Sequence, residues 1–151
     1  MTFTRRQALA FSAGAAAFAL TGLRSGAARA EQADVDKRIA DFTGGKAAEA
    51  GKITLTAPEI AENGNTVPVT VSVESAMSGD DVAESIMLIA AGNPNPAVAT
   101  FHFTDMSGEA FATSRIRLAK TQDVIAIAKM KNGSFYMDKK QVKVTIGGCG
   151  G

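Results

Sequence analysis

The chain has 151 residues, 46% of them hydrophobic, with 16 lysines and arginines against 15 acids, a single histidine, a single cysteine and no tryptophan. That length supports one hydrophobic core and is short for two. One cysteine excludes an intramolecular disulfide framework.

Residues 1–30 read MTFTRRQALAFSAGAAAFALTGLRSGAARA. A twin arginine, Arg5 and Arg6, precedes an apolar run from Ala8 to Leu20, and Ala28-Arg29-Ala30 forms an A-x-A cleavage site. The run is 13 residues long, whereas crossing a bilayer takes roughly twenty. Cleavage after Ala30 is therefore expected, in preference to a retained anchor, and no membrane contact is expected afterwards. The run is rich in alanine and broken by Gly14, which favours the twin-arginine route. That likeness implies export of a folded protein to a bacterial periplasm, with room for a second subunit lacking its own signal to travel along. Cleavage leaves 12 basic residues against 15 acids, a net charge of −3. A mildly acidic product without a basic cluster is a poor nucleic-acid binder.

Residues 31–50, EQADVDKRIADFTGGKAAEA, place Val35, Ile39 and Phe42 on one helical stripe that Gly44-Gly45 ends. From residue 51 to 146 the pattern becomes short β-runs separated by turn residues. ITLTA at 53–57 leads through Glu62-Asn63-Gly64-Asn65 to VPVTVSVE at 67–74, whose valines alternate with polar residues. These two runs are expected as a hairpin or close sheet neighbours. IMLIAA (86–91), AVATFHF (97–103), ATSRIRLA (112–119), DVIAIAKM (123–130), SFYM (134–137) and QVKVTI (141–146) follow. Asn132-Gly133 is the strongest hairpin signal among the turns between them. Short strands at this spacing predict an all-β protein, a two-sheet antiparallel β-sandwich with a short N-terminal helix; a small closed barrel is the alternative. The last run points Val142, Val144 and Ile146 inward and enters GGCGG at 147–151.

Catalytic sets are hard to assemble. His102 lies between Phe101 and Phe103 in a strand pattern, on the opposite face from both, with no companion ligand by spacing. Met77, Met87, Met106, Met130 and Met137 are scattered singly and read as core or gap filler. Asp80-Asp81 sits in a Ser-Gly-Asp-Asp turn and is expected to cap or solvate it. No phosphate loop or zinc spacing occurs. Chemistry is concentrated in Cys149. Gly147, Gly148, Gly150 and Gly151 surround it with residues that lack side chains, so the segment is thin and conformationally permissive. Gly147 to Cys149 extends at most about 10 Å at roughly 3.3–3.6 Å per residue. Such a flexible arm suits insertion of a thiol into another protein's pocket. Catalysis in place needs a fixed nucleophile and an oriented base. Activation is expected from the partner's pocket, or weakly from Lys139, Lys140 and Lys143 on the last strand. The competing reading of the tail is a structural or adhesive module cross-linked as a dimer by an intermolecular Cys149 disulfide.

The stretches ITLTAPEIAENGNTVPVTVSVE (53–74), GNPNPAVATFHF (92–103), TSRIRLAKTQDVIAIAKMKNGSFYM (113–137) and VKVTIGGCGG (142–151) together resemble the SoxY family. Its members are sulfur-carrier subunits of the periplasmic Sox thiosulfate-oxidising system. The resemblance implies a cofactor-free, immunoglobulin-like sandwich that pairs with a second small β-subunit, SoxZ, which typically lacks an export signal. It implies that Cys149 is the covalent attachment point for sulfur intermediates, and that the chain is not itself an enzyme. A c-type haem enzyme would couple thiosulfate to the thiol, a manganese hydrolase would release sulfate, and a molybdenum dehydrogenase would oxidise the remaining sulfur. Gly150-Gly151 is also similar to the ends of ubiquitin-like sulfur carriers. Those require ATP, which an exported protein does not meet, and a long central helix that this β-dense pattern lacks.

Overall fold

Val67, Val69, Val71 and Val73 are buried and the residues between them are exposed or half-buried, as a period of two dictates for a strand covered on one face. The computed structural model describes residues 31–145. Residues 1–30, where the sequence leads one to expect an export signal, Ile146, and residues 147–151, where it leads one to expect a flexible arm, lie outside the described residues. Contacts divide the chain into two units, Met1–Ala33 and Asp34–Gly151. Of the first, residues 31–33 are described, as the opening of a helix; the architecture below is that of the second.

Helix α1 covers 31–43. Eight strands follow: β1 (Ile53–Thr56), β2 (Ile60–Ala61), β3 (Val67–Val73), β4 (Ala83–Ala90), β5 (Ala97–His102), β6 (Ala110–Ile116), β7 (Gln122–Met130) and β8 (Phe135–Val144). They form two sheets, a three-stranded β1-β3-β6 and a five-stranded β2-β8-β7-β4-β5. Every pairing is antiparallel except β2 with β8. The sheets stay separate, so the expected sandwich forms and the closed barrel does not.

IMLIAA and DVIAIAKM lack polar alternation because β4 and β7 are buried on both faces. Ile86, Leu88, Val124, Ala126 and Ala128 face the other sheet and join Leu55, Val69 and Val71 in the core between the two. Met87, Ile89, Ile125 and Ile127 face the opposite way and join Val35, with Phe135 and the half-buried Ile39 and Phe42, in a second core beneath α1. The Phe42 and Phe135 rings meet edge to face with centroids 6.2 Å apart. The layers are therefore helix, five-stranded sheet, three-stranded sheet. Each fully buried Leu, Ile or Val contributes about 1.5–3 kcal/mol by leaving water.

The structure corrects the strand pattern in one place. SFYM and QVKVTI are not two strands; they are parts of the ten-residue β8, paired with β7 from Gln122↔Val142 to Lys129↔Phe135. Of the polar residues between them, Asp138 bonds inward and Lys139 and Lys140 are exposed, so a continuous strand accommodates all three. The Asp138 carboxylate accepts the Leu55 N–H at 2.9 Å, and Lys139 Nζ lies 3.4 Å from the Asp123 carboxylate. β1 and β3 are sheet neighbours, Ile53 opposite Val73, but the chain between them detours to the other sheet to form β2. Asn132-Gly133 does make the β7–β8 hairpin. Gly133 takes a φ of 81°, and Asn132 Oδ1 accepts the Ser134 N–H at 2.9 Å.

The turn before β4 is held by one carboxylate. Asp81 accepts the Ala76 N–H at 2.8 Å and the Lys52 ammonium at 2.9 Å, and its carbonyl accepts the Ser75 hydroxyl. The sequence expectation of a turn-capping aspartate is met by Asp81. Lys52 and Met77, both non-glycine residues at positive φ (54° and 49°), lie in this knot. The Ala76 N–H and then Lys52 hold the Asp81 carboxyl below the usual carboxylate range. A lowered folded-state value means stability that is present above the unfolded value and lost as pH falls through the folded one. Thermal unfolding of the parent should therefore lose midpoint below about pH 4, and Asp81→Asn should flatten that loss. An unchanged acid limb in the variant would contradict the assignment.

Candidate functional site

The candidate thiol Cys149 and its flanking Gly147, Gly148, Gly150 and Gly151 lie outside the described residues. What can be described is the sheet end that leads to them. β7 begins at Gln122, opposite Val142, so β8 loses its antiparallel neighbour beyond that point. The Thr121 side chain takes over. Val144 N–H donates to Thr121 Oγ1 at 3.0 Å, and the hydroxyl donates to the Val144 carbonyl at 3.4 Å. On the other edge β2 runs parallel to the last residues of β8, with Ile60 beside Lys143 and Ala61 beside Val144. Lys143 N–H donates to the Glu59 carbonyl at 2.9 Å and Thr145 N–H to the Ala61 carbonyl at 3.1 Å.

Beside this strand end lies a part-buried amide network. Gln122 is 6% exposed. Its Oε1 accepts the Gly92 N–H at 2.6 Å, and its Nε2 donates to Asn93 Oδ1 at 2.9 Å and to the Lys120 carbonyl at 3.0 Å. Asn93 in turn donates from Nδ2 to the Arg117 carbonyl at 2.7 Å and accepts the Ala119 N–H at 3.0 Å. Gly92 permits this closeness, since a Cβ there would come within 3.1 Å of the Gln122 Cβ and 2.7 Å of the Lys120 side chain. The Leu118 N–H reaches the Gly64 carbonyl at 2.7 Å. Loops 59–64, 91–93 and 117–122 are thereby tied to one another and to residues 143–145. The platform is polar and internally satisfied, and it holds a strand end in place.

Lys139, Lys140 and Lys143 are exposed along β8, with Lys139 paired to Asp123. His102 is exposed on β5, opposite Ser85. In sheet order β4 and β7 separate β5 from β8, a distance of roughly 14 Å at about 4.8 Å per strand, so the fold does not bring this ring to β8. Met77, Met87 and Met130 are buried as expected of core residues. Met106 departs from that expectation: it is 92% exposed, in a single 3₁₀ turn, Asp105–Ser107, with no buried residue. Among the described residues no group of three or more His, Cys, Asp or Glu is placed to hold a metal ion, and no helix is long and apolar enough to cross a membrane. Thr121, Gln122 and Asn93 carried no sequence signal beyond their turn-forming character, because their partners are distant in the chain.

A family model described as sulfur oxidation protein SoxY matches residues 39–149, from α1 through the sandwich to the cysteine. The chain belongs to the SoxY family. A solved structure of the sulfur carrier protein SoxY from Chlorobium limicola f thiosulfatophilum is 33% identical, covers 76% of this chain and 99% of its own, and superposes with a TM-score of 0.62. A superoxide reductase (neelaredoxin) from Ignicoccus hospitalis is 25% identical over 69% of this chain and 91% of its own, with a TM-score of 0.53. A putative superoxide reductase from Thermotoga maritima, at 16% identity, 64% and 89% coverage and a TM-score of 0.51, shares the fold alone. No curated protein sequence matches the chain.

The platform rests on Gln122, whose three hydrogen bonds each contribute about 0.5–1.5 kcal/mol. Gln122→Ala should lower the unfolding free energy by about 2–4 kcal/mol in urea titrations; a loss under about 0.5 kcal/mol would contradict the network's role.

Proposed function

We propose that the protein is a sulfur carrier. The observation that carries this reading is the SoxY family match, which extends to residue 149, the chain's single cysteine. The 33%-identical structure is of a protein described as a sulfur carrier, which supports it. In this reading Cys149 holds thiosulfate-derived intermediates covalently, and separate enzymes act on them.

The chemistry divides between proteins. A sulfur–sulfur bond forms between Cys149 and the outer sulfur of thiosulfate, with the thiol proton released and two electrons passing to a c-type haem enzyme. Water then cleaves the bond to the terminal sulfone in a manganese hydrolase, and sulfate leaves with the water's oxygen. The sulfur that remains on Cys149 goes to a molybdenum dehydrogenase. The chain itself supplies a thiol, a reach and no catalytic groups. It works as a heterodimer with a SoxZ-like subunit, in the periplasm, after folded export by the twin-arginine route and cleavage at Ala30.

Thr145 is the last described residue of the sheet end, bonded to Ala61. Cys149 is four residues further, a reach of at most about 13–14 Å. This distance suits entry into a pocket on a protein docked against the sandwich. The glycines either side of the thiol keep the entering segment thin.

In a system reconstituted with thiosulfate and the partner enzymes, Cys149→Ser should abolish sulfate release, a loss of more than about 100-fold, with an unchanged thermal midpoint. Deleting Gly147 and Gly148 should slow release and also leave the midpoint unchanged. Sulfate release by the serine variant at the parent's rate would sink the carrier reading.

A further inference from the structure

The loop between β2 and β3 is tied into the fold at both its start and its tip. On its β2 side the Glu59 and Ala61 carbonyls accept the Lys143 and Thr145 N–H groups. At its tip the Gly64 carbonyl accepts the N–H of the fully buried Leu118 at 2.7 Å. The tip reads Glu62-Asn63-Gly64-Asn65. Asn63 is exposed and folds its side chain over the turn, with Oδ1 accepting the Asn65 N–H at 2.8 Å. Gly64 is buried, yet its N–H donates to no acceptor among the described residues.

An asparagine side chain can lose its amide to the backbone nitrogen that follows it, which is one reason asparagine is thermolabile. The chain has five asparagines, Asn63, Asn65, Asn93, Asn95 and Asn132, and one of them is left open to this reaction. Pro94 and Pro96 follow Asn93 and Asn95, and a proline nitrogen carries no hydrogen to release. Thr66 follows Asn65, and its branched Cβ crowds the nitrogen. Asn63 and Asn132 precede glycine. Their side-chain carbonyls are placed alike, since Asn132 Oδ1 accepts the Ser134 N–H at 2.9 Å. Their nucleophiles differ. The Gly133 N–H is committed to the Met130 carbonyl at 2.9 Å, inside a hairpin where the Met130 N–H reaches the Ser134 carbonyl at 2.9 Å.

We propose that Asn63 is a site of spontaneous covalent modification, where the Gly64 nitrogen displaces the side-chain amine and the loop tip becomes isoaspartate. The reaction uses water and no oxidant, reductant or enzyme. A bond forms between the Gly64 nitrogen and Asn63 Cγ while the Cγ–Nδ2 bond breaks, and the proton of the attacking nitrogen leaves with the amine as ammonia. The Asn65 N–H, already on Oδ1, faces the negative charge that builds on that oxygen during the attack. The product is a succinimide ring, and water adds to either of its carbonyls to leave aspartate or isoaspartate. In isoaspartate the main chain runs through the former side chain, so an extra methylene enters the tip beside the Gly64 carbonyl. The Leu118 N–H then loses its acceptor, and the tip is untied from residues 117–122. None of this depends on the carrier reading.

The test stores the purified protein at mildly alkaline pH, folded and in urea, and follows deamidation residue by residue with tandem mass spectrometry. In the folded protein Asn63 should convert at least about fivefold faster than Asn132, because each of the two hairpin bonds lowers the reactive population at Asn132 by about two- to tenfold. In urea the two sites should convert within about twofold of each other, since the bonds that distinguish them are gone. Folded chains carrying isoaspartate at position 63 should exchange the Leu118 amide at least about tenfold faster than the parent. Asn63→Asp adds the charge without lengthening the main chain, so its Leu118 amide should exchange at the parent's rate. Conversion of Asn132 as fast as Asn63 in the folded protein, an Asn63 that converts in urea alone, a preference for Asn63 of the same size in urea, or an equal loss of Leu118 protection in the aspartate variant would each overturn the proposal.

Discussion

Burial of β4 and β7 on both faces is the constraint on which the rest of the structure depends. Ile86 and Leu88 on β4, with Val124 and Ala126 on β7, require a second sheet on one side. Met87, Ile89, Ile125 and Ile127 require a cover on the other, and α1 provides it through Val35, Ile39 and Phe42. Backbone ladders run through the middle of both cores and join them. The central strands cannot shift by one residue without exchanging these two apolar sets, so the register of the whole five-stranded sheet is fixed. β8 inherits that register from β7 over eight paired positions.

The fold changes character at the end of β8. Apolar packing carries both cores and reaches Leu118 and Val144, and around residues 117–122 and 143–145 a set of hydrogen bonds among loops is added to it. Gln122 is the junction, since its backbone lies in β7 opposite Val142 and its buried amide binds the loops. A polar network is directional where apolar packing is not, so it suits fixing the exit point of a chain. In the carrier reading the division of labour follows: the sandwich supplies a stationary exit, and chemistry is left to the thiol and to the pockets it visits.

The sequence made the strand-forming segments legible wherever one periodicity dominated. Val67 to Val73 could be read directly, and Phe101-His102-Phe103 already placed the histidine opposite the two phenyl rings, which the structure half-buries while leaving the histidine exposed. The apolar runs of β4 and β7 read as strands, although no pattern could say which element covered each face, because that is decided by partners distant in the chain. β8 was divided by its Asp138-Lys139-Lys140 stretch, whose polarity is explained by contacts to Leu55 and Asp123. β2 is two residues long, too short for any period. Thr121, Gln122 and Asn93 passed as turn residues, since a side chain that replaces a strand has no signature until the fold is assembled. Cys149 was the reverse case. A lone thiol among glycines is conspicuous in the sequence, and the family match reaches it, while its surroundings lie outside the described residues.

The claim that the chemistry sits on Cys149 and nowhere on the sandwich is tested most directly by peptide mapping of the mature protein. It would be loaded with thiosulfate in the presence of the haem enzyme and cleaved after lysine without reduction. The account predicts that the peptide spanning residues 144–151 alone carries the added sulfur and sulfonate mass, and that reduction removes it. Added mass on any peptide from residues 31–143, or an unmodified 144–151 peptide from protein that supports sulfate release, would contradict it.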